Sequence, residues 1–255
     1  MKNNTCKNCK KRFEGNYCAN CGQAASANNR LKFTTIFKEF FDNTFNIHKG
    51  FFFTFWKLFV KPSEVALSYI QGSRKKYTNP TRYLVIALAI LGFLQFWANT
   101  QEAVSSEDFQ GFIFLPEELN RSMSLWDLKL ITEWTLLGNL LEALVFPIGF
   151  YWLFRQLNYN YSELLTLSFY LISNSIFITI LLVGIPKALT NAYAPVLFVV
   201  SVIMVYYIYA LTSFYKAVPI VKRMIFILFG LAIFFLIRFL IIPFILALLF
   251  PLSTP

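Results

Sequence analysis

From residue 80 onward the chain is a series of long apolar runs: Pro80–Ala98, Trp134–Phe154, Leu164–Val183, Tyr193–Tyr215 and Met224–Phe250. Each is near or above the ~20 residues a helix needs to cross the hydrocarbon of a bilayer. No soluble fold can hide five such stretches. Composition agrees, because 57% of the 255 residues are hydrophobic and only 14% are charged, whereas a soluble globule carries charge on about a quarter of its residues. The sequence therefore predicts an all-α membrane protein. Its parts are a five-span transmembrane helix bundle, a small N-terminal zinc-ribbon-like knuckle, and interfacial amphipathic helices between them. The boundaries read from the chain are 1–23 for the knuckle, 24–32 for a linker, 33–79 for the amphipathic helices and a basic collar, and 80–255 for the bundle. The fifth span is several residues too long and is expected to tilt or bend at Pro243.

Charge is distributed as unevenly as hydropathy. Residues 1–82 hold fifteen Lys/Arg and four Asp/Glu, a net +11, while residues 83–255 hold eight and nine, a net −1. A basic excess beside the first span is what retention in the cytoplasm and attraction to anionic headgroups produce, so nucleic acid is not needed to explain it. Lys216, Lys222 and Arg223 crowd the fourth-to-fifth loop, which lies on the same side in a five-span chain. The 99–133 segment sets Arg121 and Lys129 against Glu102, Glu107, Asp108, Glu117, Glu118, Asp127 and Glu133. These loops are expected to place the N-terminus in the cytoplasm and the C-terminus outside, in the cytoplasmic (inner) membrane. No apolar core with a small-residue cleavage site opens the chain, so the first span is expected to act as the insertion signal.

All four cysteines lie in two C-x2-C pairs, Cys6/Cys9 and Cys18/Cys21, eight residues apart. Two close thiolate pairs can close a tetrahedron around one metal, and four sulphurs favour structural zinc. Disulfides or a redox C-x-x-C are the competing readings. Both suit a reducing compartment and a segment without a βαβ pattern poorly. Four protein ligands leave no open position for catalysis. Lys10, Lys11, Arg12, Phe13 and Tyr17 between the pairs could dock a protein partner or, as the lesser alternative, nucleic acid.

Phe33, Ile36, Phe37, Phe40, Phe41 and Phe45 form one helical stripe, and Phe51–Val60 resumes the apolar pattern after Gly50. Neither is long and clean enough to span. Both fit helices lying in the headgroup plane, or alternatively on the bundle, with Lys57, Lys61, Arg74, Lys75, Lys76 and Arg82 toward the lipid phosphates. His48, the sole histidine, receives no catalytic role.

Two sets of residues carry a family resemblance. One is the double knuckle ending in Cys21-Gly22-Gln23. The other is the spaced series Tyr69, Gly72, Arg74, Tyr77, Pro80 and Tyr83. With these, the first third of the chain resembles an uncharacterised family of bacterial multi-pass membrane proteins, found mainly in Bacteroidetes and known as a domain of unknown function. The resemblance implies architecture and no activity.

Within the spans, Glu142 and Arg238 fall at similar depth, and Asn139 and Asn174 lie near them along the helices. A charge at mid-membrane costs about 2.5–3.5 kcal/mol on insertion scales, so the two are expected to face inward and pair. A clamp between helices is one role for this cluster, and a transporter or channel path through Glu142, Asn174 and Arg238 is the alternative. The chain has no His-Glu-x-x-His, no Ser/His pair and no paired intramembrane aspartates, so it is not expected to be an enzyme. The leading reading is a membrane scaffold or adaptor. Its knuckle would recruit a cytoplasmic protein and its bundle would hold a membrane partner or a second copy of itself.

Overall fold

A computed structural model describes residues 4–35, 50–98, 115–190, 192 and 194–252. The stripe from Ile36 to Phe45, His48, and the acidic residues Glu102, Glu107 and Asp108 lie outside these. The chain opens with a small ribbon in which β1 (Asn4–Thr5) pairs antiparallel with β2 (Arg12–Phe13). Two short helices follow, α1 (Gly50–Val60) and α2 (Pro62–Ile70), and then the first span, α3 (Pro80–Ala98). Next come α4 (Glu117–Thr132) and the second span, α5 (Thr135–Leu153). The third span joins α6 (Tyr161–Thr179) through a π turn to α7 (Ile185–Thr190). The fourth is α8 (Val196–Phe214), and the fifth joins α9 (Ile220–Leu236) through a π turn to α10 (Ile242–Leu249).

Five of these helices are long and apolar enough to cross a membrane: Pro80–Trp97, Thr135–Leu153, Tyr161–Lys187, Val196–Phe214 and Ile220–Leu249. The third and fifth extend beyond the ranges read from hydropathy. In the third, the Asn160 side-chain oxygen accepts from the Glu163 amide, and the Asn160 amide donates to the Glu163 carboxylate. Such a reciprocal cap fixes the start at polar residues that an apolar window passes over.

The third span is the axis of the bundle. Its residues from Glu163 to Ile178 are buried, and α3, α5 and α8 pack around it. The first and third spans run parallel, since Tyr83 meets Asn174 and Leu94 faces Gly184. The fifth runs antiparallel to the second: Glu142 meets Arg238, and Phe154 meets Phe226. Between those contacts a Cβ on Gly230 would come within 2.5 Å of the Phe150 ring, so the helices approach through a residue without a side chain.

Both π turns precede a proline by two residues: Ile180–Gly184 before Pro186, and Ile237–Ile241 before Pro243. A proline ring clashes with the carbonyl four residues back and offers no N–H. In each span that carbonyl belongs to the widened turn, which relieves the clash without ending the helix.

Helix α1 resolves the choice between bundle and lipid by meeting the bundle with one face only. Thr54 and Leu58 are buried, and the Phe51, Phe55 and Phe59 rings pack on Phe177, Tyr83 and Tyr206. Phe52, Phe53 and Trp56 point away and are exposed. The last carbonyls of a helix lack partners, and here the hydroxyls of Tyr206 and Tyr209 donate to Leu58 and Val60 at 3.3 and 2.5 Å.

Helix α4 departs from the sequence reading, which took its residues as acidic loop. Met123, Trp126 and Leu130 recur at helical spacing and are buried, with Glu117 and Glu118 in the favourable first turn. The helix packs on α10, where the Trp126 indole donates to the Phe250 carbonyl at 2.7 Å and the Leu252 amide donates to Ser122 at 2.9 Å.

Candidate metal centre

The two C-x2-C pairs fold identically. The Lys10 amide donates to the Cys6 carbonyl at 2.8 Å, and the Gly22 amide to the Cys18 carbonyl at 2.7 Å. Lys10 and Gly22 both take positive φ, 63° and 67°, which turns the chain so that each cysteine pair points the same way. The amides of Cys6 and Cys18 return hydrogen bonds to Lys11 and Gln23, both at 2.9 Å.

The four Sγ atoms consequently lie within 4.8 Å of one another. Cys6 and Cys21 are 3.6 Å apart, and Cys9 and Cys18 are 3.5 Å apart. A disulfide requires ~2.05 Å, so these contacts are not crosslinks. A tetrahedron with metal–sulphur bonds of ~2.3 Å has edges of about 3.8 Å, close to what the thiols adopt. The donor set and its spacing fit a metal ion. The Lys11 backbone N–H draws the Cys9 thiol down to about 6, while burial pushes Cys6 up to about 11.

The ribbon is fastened to the collar that precedes the first span. The Gln23 side-chain amide donates to the Gly72 carbonyl at 2.8 Å, and its oxygen accepts from the Arg74 amide at 3.1 Å, much as a neighbouring strand would. Ser73 donates to Asn8 at 2.9 Å, and Lys7 donates to the Asn28 carbonyl at 2.6 Å. Residues read as a linker are part of this seam: Ala25–Asn28 is a 3-10 turn, Ala27 is buried, and Leu31 lies in the bundle core. Arg30 reaches the second-to-third loop, pairing with Glu163 at 2.9 and 3.0 Å and donating to the Asn158 carbonyl. Asn160 donates to the Leu31 carbonyl at 3.0 Å. Lys222 of the fifth span reaches Gln156 in the same loop, so both basic clusters lie at the ribbon end of the bundle.

Gly72 is the pinch point. It has φ +99°, and a Cβ there would come within 2.6 Å of both the Ala27 carbonyl oxygen and the Lys7 side chain. Gly72→Ala is expected to cost about 1–3 kcal/mol from the backbone conformation alone, and the clash with Ala27 should lift the ribbon off the collar. Faster proteolysis between residues 23 and 32, with the spans uncut, is the measurement.

Residues 49–92 match a family described as Protein of unknown function (DUF3667). The match covers α1, α2, the collar and most of α3, the part of the chain that receives the ribbon. No curated protein and no solved structure matches this chain.

The basic residues expected at headgroups separate by position. Lys57 lies over the Phe53 ring at 5.9 Å, and Lys61 precedes α2. Lys76 pairs with Glu64 at 3.2 Å, beside the Tyr77 hydroxyl that also donates to Glu64 at 2.9 Å. These two donors, Tyr77 first, hold the Glu64 carboxyl below its usual range. Arg74 is only 9% exposed, with its guanidinium over Tyr69, so it belongs to the footing of the ribbon rather than to an open lipid face. The Lys75 ammonium lies 3.9 Å from where a Cβ on Gly22 would be, against the second knuckle. Arg82 is half-buried in the first turn of α3.

In the bundle, Arg238 donates through Nε to Glu142 at 3.0 Å and through Nη1 to Asp127 at 2.6 Å. Asp127 was not anticipated, because its helix was read as loop. The other two polar residues lie apart. Asn139 donates to the Thr135 carbonyl one turn back at 2.9 Å, and Asn174 accepts from the Tyr83 hydroxyl at 2.8 Å. Arg238 thus ties three elements together: α4, the second span and the fifth.

Proposed function

We propose that the chain is a non-enzymatic scaffold of the bacterial inner membrane. Zinc in the four-cysteine centre sets the ribbon as a fixed platform for a cytoplasmic protein partner. The supporting observation is the two-sided ribbon. Gln23, Asn8 and Lys7 attach one side to the collar and the chain behind it, while Lys10, Lys11, Arg12 and Tyr17 remain exposed on the ribbon. A structural zinc fixes shape and leaves no ligand position for substrate. The orientation follows the positive-inside rule, with the ribbon and the fourth-to-fifth loop in the cytoplasm and the end near Phe250 outside. The transporter alternative draws less support, because Asn174 accepts from Tyr83 while Arg238 donates to both Glu142 and Asp127. The membrane lipids contact the exposed apolar faces of the spans and of α1.

The test is affinity capture from membranes with three baits: the full chain, Cys9→Ser, and the full chain carrying Lys11→Glu with Tyr17→Ala. The same protein should be captured by the first bait and lost from both others, although the third retains its metal. A capture list identical for all three would contradict a docking role.

A further inference from the structure

Among the described residues, Arg238 meets two carboxyls with a single positive charge. Arg238 is 1% exposed, and the two carboxylates it meets belong to side chains that are 5% exposed for Asp127 and 24% for Glu142. Its guanidinium also lies over the Phe239 ring at 4.8 Å. Among the described residues, the other titratable group facing Glu142 is Tyr207 of α8, which donates to Ser175 at 2.9 Å and brings no positive charge. A guanidinium stays protonated in proteins, so with both carboxyls ionised the triad would be −1, with Arg238 and Asp127 almost wholly enclosed and Glu142 only partly exposed. Groups so placed neutralise rather than remain as unpaired buried charges.

We propose that Glu142 carries a proton at neutral pH, which makes the triad a neutral site that binds one exchangeable proton. Asp127 takes the shorter bond and the more enclosed position, forming the ion pair proper. Glu142 makes the longer contact, with its Oε1 accepting from Nε. It is also intrinsically the weaker acid of the two. Protonating its other oxygen leaves Oε1 free to accept from Arg238, so the observed geometry is retained. The proton comes from water and returns to it, and no other species takes part. Sodium could supply the same charge, and the experiment separates the two.

Infrared spectra of the full chain in lipid nanodiscs, at neutral pH without sodium, test the site. The wild type should show a protonated-carboxyl stretch that shifts in D2O and disappears in Glu142→Gln. Thermal unfolding then assigns the proton. Glu142→Gln replaces a neutral acid with a neutral amide and should leave stability near that of the wild type, whereas Asp127→Asn removes the ionised partner and should lower it. Absence of the band in wild type, or stability that depends on added sodium, would overturn the proposal. So would a band that survives in Glu142→Gln. A Glu142→Gln protein that is less stable than Asp127→Asn, or that fails to fold, would also overturn it, since the proton would then belong to Asp127 or to neither.

Discussion

Serine in place of any one of Cys6, Cys9, Cys18 or Cys21 is expected to unfold the ribbon while leaving the five spans assembled. The ribbon cannot stand on its own apolar contacts, because its buried cluster is Cys6, Phe13 and Cys18, two of which belong to the four-cysteine candidate metal site. Structural zinc sites of this type supply an apparent ~10–16 kcal/mol, and without metal such domains are unfolded. With zinc held by the four thiols, loss of one ligand would open the tetrahedron and forfeit most of that energy. Hydrogen exchange on the full chain in nanodiscs reads the outcome amide by amide. Lys10 and Gly22, which close the two knuckles, should exchange rapidly. So should Arg74, whose amide is held by Gln23 across the seam. The amides of α6 should remain protected. Continued protection at Arg74 would mean that the collar holds its shape without the metal.

Arg238→Met should be the most damaging single change within the bundle. It removes the one cation that Asp127 and Glu142 share and leaves both carboxyls facing an apolar side chain. Breaking a buried ion pair by deleting one partner costs about 3–5 kcal/mol. The loss should appear as a large drop in the thermal midpoint in detergent. Helix α4 should loosen with it, because the Asp127 bond is one of its few polar attachments to the fifth span, alongside those of Trp126 and Ser122. The triple variant Arg238→Met, Asp127→Asn, Glu142→Gln carries no charge at the site and should recover much of the loss, a non-additivity expected of groups in one network. Equal stability for the single and triple variants would show that the carboxyls do not depend on Arg238.

How much of this could be read from the chain follows from the range of each interaction. The spans were legible because lipid accepts apolar side chains all around a helix, so hydropathy alone marks them. The cysteine pairs were legible because the four thiols that come together are close in sequence. Helix α4 was obscured by its own acids: a window that averages Glu117, Glu118 and Asp127 with Met123 and Trp126 reads as loop, although the helical spacing of the buried residues was present. The contacts made by residues 24–32, which read as a linker, were hidden for another reason. Nothing in Ala/Ser/Asn composition reveals that Leu31 is buried in the bundle core, or that Gln23 pairs with Gly72, 49 residues away. Gln23 carried a faint signal, as the residue closing the Cys-Gly-Gln end of the second knuckle. The Glu163 partner of Arg30 lies 133 residues from it. The capping pattern of Asn160 and Glu163 could have marked where that helix starts, though not its contact with the ribbon.

The metal content of the purified chain is the most direct test of a ribbon built around four thiolates. Elemental analysis of protein prepared in mild detergent should find one zinc per chain, reduced to background in Cys9→Ser and in protein treated with a strong chelator. A fully folded chain without metal, or with the four cysteines joined as two disulfides, would contradict the account.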